Sequence, residues 1–286
     1  GASSEDEAGS GAGAVYLVMA SRLGSDATID LSDADYKIIG EQAGDRAYTV
    51  GKVAGDYDGD GLHDIAIGAY LEDTGGEYAG AAYIVLASSL GSARTFDLSD
   101  ADYKFAGESA GDRAGLTLSS AGDVDGDGQA DLLVGSTRHV ASGVDAGAAY
   151  LVLSSSLGSD GTIDLSSADY RFTGDSSGDR AGCAVSSAGD VDGDGLDDLL
   201  IGAKEHTGER GAAYLIFSAS LGSATTINLS TADYTFTGTS SNDRAGISLS
   251  LAGDVDGDGL SDILIGARGN DAGGSEAGAA YLILTE

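Results

Sequence analysis

The alternation of apolar and polar positions divides the chain into short strands. Ile65-Ala-Ile-Gly, Leu132-Leu-Val-Gly, Leu199-Leu-Ile-Gly and Ile263-Leu-Ile-Gly are compact aliphatic runs closed by glycine. Runs of this length and composition predict buried strands rather than helices. A second series follows 15 residues on, or 12 in the third copy, Gly80-Ala-Ala-Tyr-Ile-Val, Gly147-Ala-Ala-Tyr-Leu-Val and Gly211-Ala-Ala-Tyr-Leu-Ile. A third series begins Asp102-Tyr-Lys-Phe, Asp169-Tyr-Arg-Phe and Asp233-Tyr-Thr-Phe. One period, taken from the copy at Cys183, holds a strand before an acidic loop and the Asp198-Leu-Leu-Ile-Gly strand after it. A variable loop, the Tyr214 strand, a long connection over 218–232 and the Tyr234 strand complete it. Four short antiparallel strands per period with glycine-rich turns predict an all-β fold, a β-propeller of four-stranded blades.

The acidic loop is D-x-D-G-D-G-x-x-D. It starts at Asp56, Asp123, Asp190 and Asp254, spaced 67, 67 and 64 residues apart. The expected donors are Asp56, Asp58, Asp60 and Asp64 with the Leu62 carbonyl, and Asp123, Asp125, Asp127 and Asp131 with the Gln129 carbonyl. Asp190, Asp192, Asp194 and Asp198 with Leu196, and Asp254, Asp256, Asp258 and Asp262 with Leu260, complete the set. Carboxylates at positions one, three, five and nine converge if the chain turns tightly, and the two glycines permit that turn by taking φ > 0. Oxygen donors in this number suit Ca²⁺, about four ions per chain, better than Mg²⁺, which gives up its waters reluctantly. An EF-hand shares the opening of the motif but needs a bidentate Glu at position twelve. Here that position holds Ile67, Val134, Ile201 and Ile265, and the flanking elements are strands.

Charge narrows the partners. The 286 residues carry a net charge of −33, and the four loops' motif positions one, three, five and nine account for 16 of the 47 acidic residues. Four bound Ca²⁺ leave −25, which argues against nucleic acid and anionic membranes as partners and permits a basic partner or a salty medium. No run approaches the ~18 apolar residues of a membrane span. Cys183 aligns with Leu116 and Ile247, as a small buried hydrophobe would.

The period sets the expected organisation. Residues 1–286 read as one propeller domain, with a partial blade over 1–45, blades over 46–112, 113–179 and 180–243, and a partial blade over 244–286. Residues 1–19 align without a gap to 266–284, so the third strand of the period is present once more than the others. Either four blades close with a spare strand, or the chain is part of a larger ring completed by self-association. The repeated Asp-Arg pairs at Asp45, Asp112, Asp179 and Asp243 are expected to be inter-blade ion pairs or loop locks.

Gly178-Asp-Arg-Ala-Gly, then Ser187-Ala-Gly-Asp-Val-Asp-Gly-Asp-Gly-Leu-Asp-Asp-Leu-Leu-Ile-Gly-Ala and Gly211-Ala-Ala-Tyr-Leu-Ile, resemble the FG-GAP repeat of integrin α-subunit propellers, in its bacterial form. The "FG" is Ala-Gly here, or Ala47-Tyr48 in the first repeat, and the "GAP" never contains proline. The resemblance implies calcium loops on one face and ligand contacts on the other. On that other face the large or charged residues that do not repeat are Tyr48, Tyr70, Tyr78, Arg138, His139, Lys204, His206, Arg210 and Arg268. It implies a non-enzymatic, calcium-stabilised extracellular or cell-surface module that meets a protein or surface ligand. The alternatives are a lectin-type carbohydrate binder and a purely structural repeat assembly. No Ser/His/Asp or paired-carboxylate constellation can be assembled from His63, His139 and His206, which fall in different contexts.

Overall fold

The computed structural model describes residues 1–23, 28–51, 55–140, 145–158 and 161–286. Strands β1 (Ala14–Leu17) and β2 (Tyr36–Ile39) form the N-terminal partial blade. The next period supplies β3 (Ala47–Val50), β4 (Ile65–Ala69), β5 (Ala81–Val85), β6 (Thr95–Asp97) and β7 (Tyr103–Ala106). It is followed by β8 (Ala114–Gly122), β9 (Asp131–Ser136), β10 (Ala148–Val152), β11 (Gly161–Asp164) and β12 (Tyr170–Thr173). The third full period gives β13 (Ala181–Gly189), β14 (Asp198–Ala203), β15 (Ala212–Ile216), β16 (Thr226–Asn228) and β17 (Tyr234–Thr237). Strands β18 (Ala245–Gly253), β19 (Asp262–Ala267) and β20 (Ala279–Ile283) end the chain.

Within a period the first, second, third and last strands pair antiparallel in chain order, as β13-β14-β15-β17 does. These four-stranded units are the expected blades. Their aliphatic and tyrosine faces pack blade to blade. Leu133, Leu151 and Phe172 of one blade meet Val185, Leu199, Ile201 and Tyr214 of the next. Equivalent clusters fill the other three blade-to-blade contacts. Tyr83, Tyr150 and Tyr214 of the third strands sit at their centres with at most 2% exposure, so they are packing residues. Beyond the last blade, Leu251, Leu264 and Leu282 are exposed, so the blades form an open arc and the ring is not closed.

The short strand inside the long connection was not anticipated. β6, β11 and β16 leave their own blade and pair parallel with β2, β7 and β12, the last strand of the preceding blade. Each connection is thus a strap that ties two blades. Its end is held by a short turn in which Asp97, Asp164 or Asn228 accepts the amide of the second residue onward. Its start is held by Tyr36, Tyr103 or Tyr170, whose hydroxyl donates to the carbonyl of Gly91, Gly158 or Gly222 in the next strap.

Blade-to-blade approach depends on several glycines in each repeat, one of them at the start of the first strand. Gly115, Gly182 and Gly246 lie in a two-residue bulge at the start of the first strand, with φ near +77°. A β-carbon there would stand 2.1, 2.1 and 2.0 Å from the carbonyl oxygens of Ala81, Ala148 and Ala212 in the preceding blade. The first repeat has Tyr48 at this position. There the bulge shrinks to one residue and the β3–β4 register moves by one, Thr49 rather than Val50 facing Gly68. A side chain cannot take the glycine conformation cheaply, so the strand shifts instead.

Candidate functional site

The turn between the first two strands of each blade is the acidic loop. Its fold follows from its own carboxylates. Asp56 accepts the amides of Gly59 and Gly61 at 2.8 and 2.9 Å, one on each oxygen. Asp58 accepts from Asp60 at 3.1 Å, and Asp60 from Leu62 at 2.7 Å. The same four bonds recur in the loops at Asp123, Asp190 and Asp254. Gly59 and Gly61 take φ of +75° and +85°, which lets the short loop wrap around its acidic side chains.

The wrapping brings oxygens together. Carboxylates of Asp56, Asp58 and Asp64 offer atoms that all lie within 4.8 Å of one another, as do those of Asp123, Asp125 and Asp127. Asp190, Asp192 and Asp194, and Asp254, Asp256 and Asp262, do the same. This clustering of hard, anionic oxygens is a donor set that fits Ca²⁺. The ninth-position residues Asp64, Asp131, Asp198 and Asp262 are fully buried. Each anchors the loop to its blade. One oxygen accepts the second loop residue's amide, and the other accepts that of Ala87, Ser154, Ser218 or Thr285 just after the third strand. Burial, opposed by those hydrogen bonds and aided by the neighbouring carboxylates, pushes Asp131 and Asp198 up to about 6 and raises Asp64. A divalent cation would relieve this cost.

Two groups at this end escaped the sequence reading. Ser155 donates from Oγ to Asp125 at 2.6 Å, and Ser154 donates to Asp127 and Asp131 at 3.2 Å. The signal was present in the repeated triplets Ala87-Ser-Ser, Ser154-Ser-Ser and Ser218-Ala-Ser, which open each strap.

The opposite end of the blades carries the connections between second and third strands. The one over 136–147 includes residues 141–144, which lie outside the described set. Tyr48 and Tyr70 meet edge to face with centroids 5.9 Å apart. Tyr78 is exposed at a positive φ, Arg210 and Arg268 are exposed, and Arg138 and Lys204 are half-buried. His139 is 3% exposed, between the Asp112 carboxylate at 3.0 Å and the Tyr150 hydroxyl at 3.2 Å. It is therefore an internal bracing residue. His206 repeats this arrangement with Asp179 and Tyr214, half-buried. Apart from the Tyr48–Tyr70 pair, the nine candidate positions are spread over successive blades.

The histidines occupy a position that is Glu72 one blade earlier and Asn270 one blade later. Glu72 and Glu41 bind Lys104 at 2.9 and 2.6 Å, and in the next blade Arg171 binds Glu108. The Asp-Arg pairs divide their work. Asp45, Asp179 and Asp243 accept amides of their own turn, while Arg180 reaches Glu205 and Arg244 reaches Glu209. Cys183 donates toward the Gly246 carbonyl of the next blade, and burial pushes its thiol up to about 11, which favours the protonated thiol at neutral pH.

Asp45 has Glu72 where Asp112 has a histidine. Burial first, then the Glu72 and Glu41 charges, push it up to about 6 against an ordinary 3.8. A carboxyl whose folded pKa is raised favours the fold below the ordinary value and loses that contribution as pH rises through about 6. Asp45→Asn keeps the acceptor for the Gln42 amide and removes the charge. It is expected to melt higher than the parent at pH 7 to 8 in saturating calcium. Melting curves down to ~pH 4 should show the advantage disappearing.

The fold and loops define a β-propeller arc with one all-oxygen acidic loop in each of four successive units. The FG-GAP repeat model matches residues 53–85, 114–152, 184–216 and 245–283, together half of the chain, and the chain belongs to the FG-GAP repeat family. Integrin alpha-PS2 of Drosophila melanogaster is 29% identical over 226 residues, 77% of this chain and 15% of that protein. Integrin alpha-PS5 of the same organism is 34% identical over 173 residues, 57% of this chain and 15% of that protein. The chain thus spans about 15% of the length of these relatives. Among the described residues, no helix is long and apolar enough to cross a membrane.

Proposed function

We propose that this chain is a non-enzymatic interaction module, stabilised by about four Ca²⁺ and working outside the cell or at its surface. The observation that carries the reading is the repetition of one self-wrapped carboxylate loop at the same turn of four blades. Asp56, Asp58, Asp60 and Asp64, their equivalents, and the carbonyls of Leu62, Gln129, Leu196 and Leu260 would hold the ions. Bound there, Ca²⁺ supplies charge neutralisation and cross-links the loop, while the chain orients the donors. Extracellular calcium, about 1 mM, would keep a site loaded if its Kd is far below that level. The likeness to integrin α chains supports a protein or surface ligand as the partner. The connections at the opposite end, which differ between blades, are its proposed docking surface. The open arc is consistent with self-association as a further contact.

The test is binding of the calcium-loaded chain to a panel of extracellular-matrix proteins and to a glycan array. The expected result is a protein partner lost when Tyr70, Tyr78, Arg210 and Arg268 are replaced together by alanine, and retained when Ser155 is replaced. Binding confined to glycans would favour the lectin reading. Binding to nothing on either panel would remove the interaction role and leave a structural repeat array.

A further inference from the structure

The acidic loops touch one another. The amide of Ala130 donates to the carbonyl of Asp56 at 2.8 Å, that of Asp197 to Asp123 at 2.9 Å, and that of Ser261 to Asp190 at 2.9 Å. In every case the eighth residue of one loop binds the first residue of the loop one blade earlier. The side chains reinforce the contact. Gln129, Leu196 and Leu260, at position seven, lie over Gly59, Gly126 and Gly193 of the preceding loop, 3.4, 3.1 and 3.2 Å from where a β-carbon would stand. Ala130, Asp197 and Ser261 press on Gly55, Gly122 and Gly189, the residue just before that loop. Asp197 adds a carboxylate bond to the Asp123 amide at 2.9 Å.

The peptide unit at each contact has two ends with two jobs. The N–H of Ala130 belongs to the same planar unit as the Gln129 carbonyl, the expected fifth donor of its own loop. Fixing that carbonyl fixes the direction of the N–H. Drawing electron density from the carbonyl also makes the N–H a stronger donor. Its acceptor is the backbone of Asp56, whose side chain both folds and arms the preceding loop. Order therefore passes from each loop to the one before it.

We infer that the four calcium loops are coupled in series through these peptide units, so that occupation of one loop tightens binding in the loop one blade earlier. This rests on the calcium reading of the loops. It assigns Ala130, Asp197 and Ser261 as positioning residues for the site of the neighbouring blade. Couplings between sites commonly amount to about 5- to 150-fold in affinity, and the lower end of that range is expected per contact.

Tyr57 makes the coupling measurable. It stands at position two of the first loop, where the other loops have Val124, Val191 and Val255, and is buried with Leu118 and Leu132 in the cluster between this blade and the next. Terbium, a calcium substitute sensitised by tyrosine, then gives a luminescence whose first-loop part is the part lost on Asp58→Ala and Asp60→Ala. Calcium titration of the unmodified chain by calorimetry should give a Hill coefficient above one. Disabling the second loop with Asp125→Ala and Asp127→Ala should weaken terbium binding at the first loop about fivefold or more. Disabling the fourth loop with Asp256→Ala and Asp258→Ala should weaken it less. Ala130→Pro, which deletes the donor and spares every carboxylate, should also weaken the first loop while the chain still binds four ions. Calcium binding with a Hill coefficient of one or below and an unmoved first loop would overturn the coupling and leave the calcium reading intact. No binding of calcium or terbium would overturn both.

Discussion

Stripping calcium with EDTA is expected to lower the melting temperature by on the order of 20 °C. A loop whose Kd lies 100-fold below the ambient calcium concentration stabilises the fold by about 2.7 kcal/mol. Four such loops act together, and 1 kcal/mol shifts the melting point of a large domain by roughly 2–4 °C. The cost of the empty state is visible in the loops themselves. Each has aspartates at positions one, three, five and nine, three of which place oxygens within 4.8 Å of one another, and burial pushes Asp131 and Asp198 up to about 6. Calcium should restore the melting point, and equimolar magnesium should restore little of it, because the loops offer more protein oxygens than a hydrated Mg²⁺ uses. A melting curve indifferent to EDTA would show that carboxylate-to-amide bonding alone holds the loops.

Gly182→Ala is expected to cost about 3 kcal/mol or more, the second-largest effect. The added β-carbon would stand 2.1 Å from the Ala148 carbonyl, and the residue sits at φ +77°. The left-handed conformation alone costs roughly 1–2 kcal/mol for a residue with a side chain, and overpacking adds typically 1–3 kcal/mol. The blade contact between β10 and β13 would have to open, or β13 would have to slip as β3 does around Tyr48. Denaturant melts of Gly182→Ala beside Gly178→Ala, where a β-carbon meets nothing within 4 Å, separate the clash from loss of glycine freedom. Equal destabilisation by both would contradict the close-approach explanation.

The acidic loop and the strands around it were legible because both are local. Asp56 to Asp64 folds on its own hydrogen bonds, and Ile65-Ala-Ile-Gly has the composition of a buried strand wherever it is placed. Tyr83, Tyr150 and Tyr214 were likewise legible as packing residues from their recurrence. The strap was not. Thr95-Phe-Asp is three residues long, too short for periodicity to register, and its partner lies in the preceding blade. The direction of that pairing depends on how blades stack, which no single repeat encodes. The internal place of His139 was hidden for a related reason. It falls in a variable loop, and only the fold brings Asp112 and Tyr150 against it. Comparison of Glu72, His139, His206 and Asn270 as one position would have suggested a bracing site, since all are hydrogen-bonding side chains. The register shift at Tyr48 was foreshadowed by the missing glycine.

The most direct measurement is the calcium content of the purified chain. Elemental analysis after equilibration in ~1 mM calcium and removal of free ion should find four calcium ions per chain, and three in a chain carrying Asp123→Ala and Asp125→Ala. A chain that retains no calcium and folds equally well would contradict the central claim that these loops are metal staples.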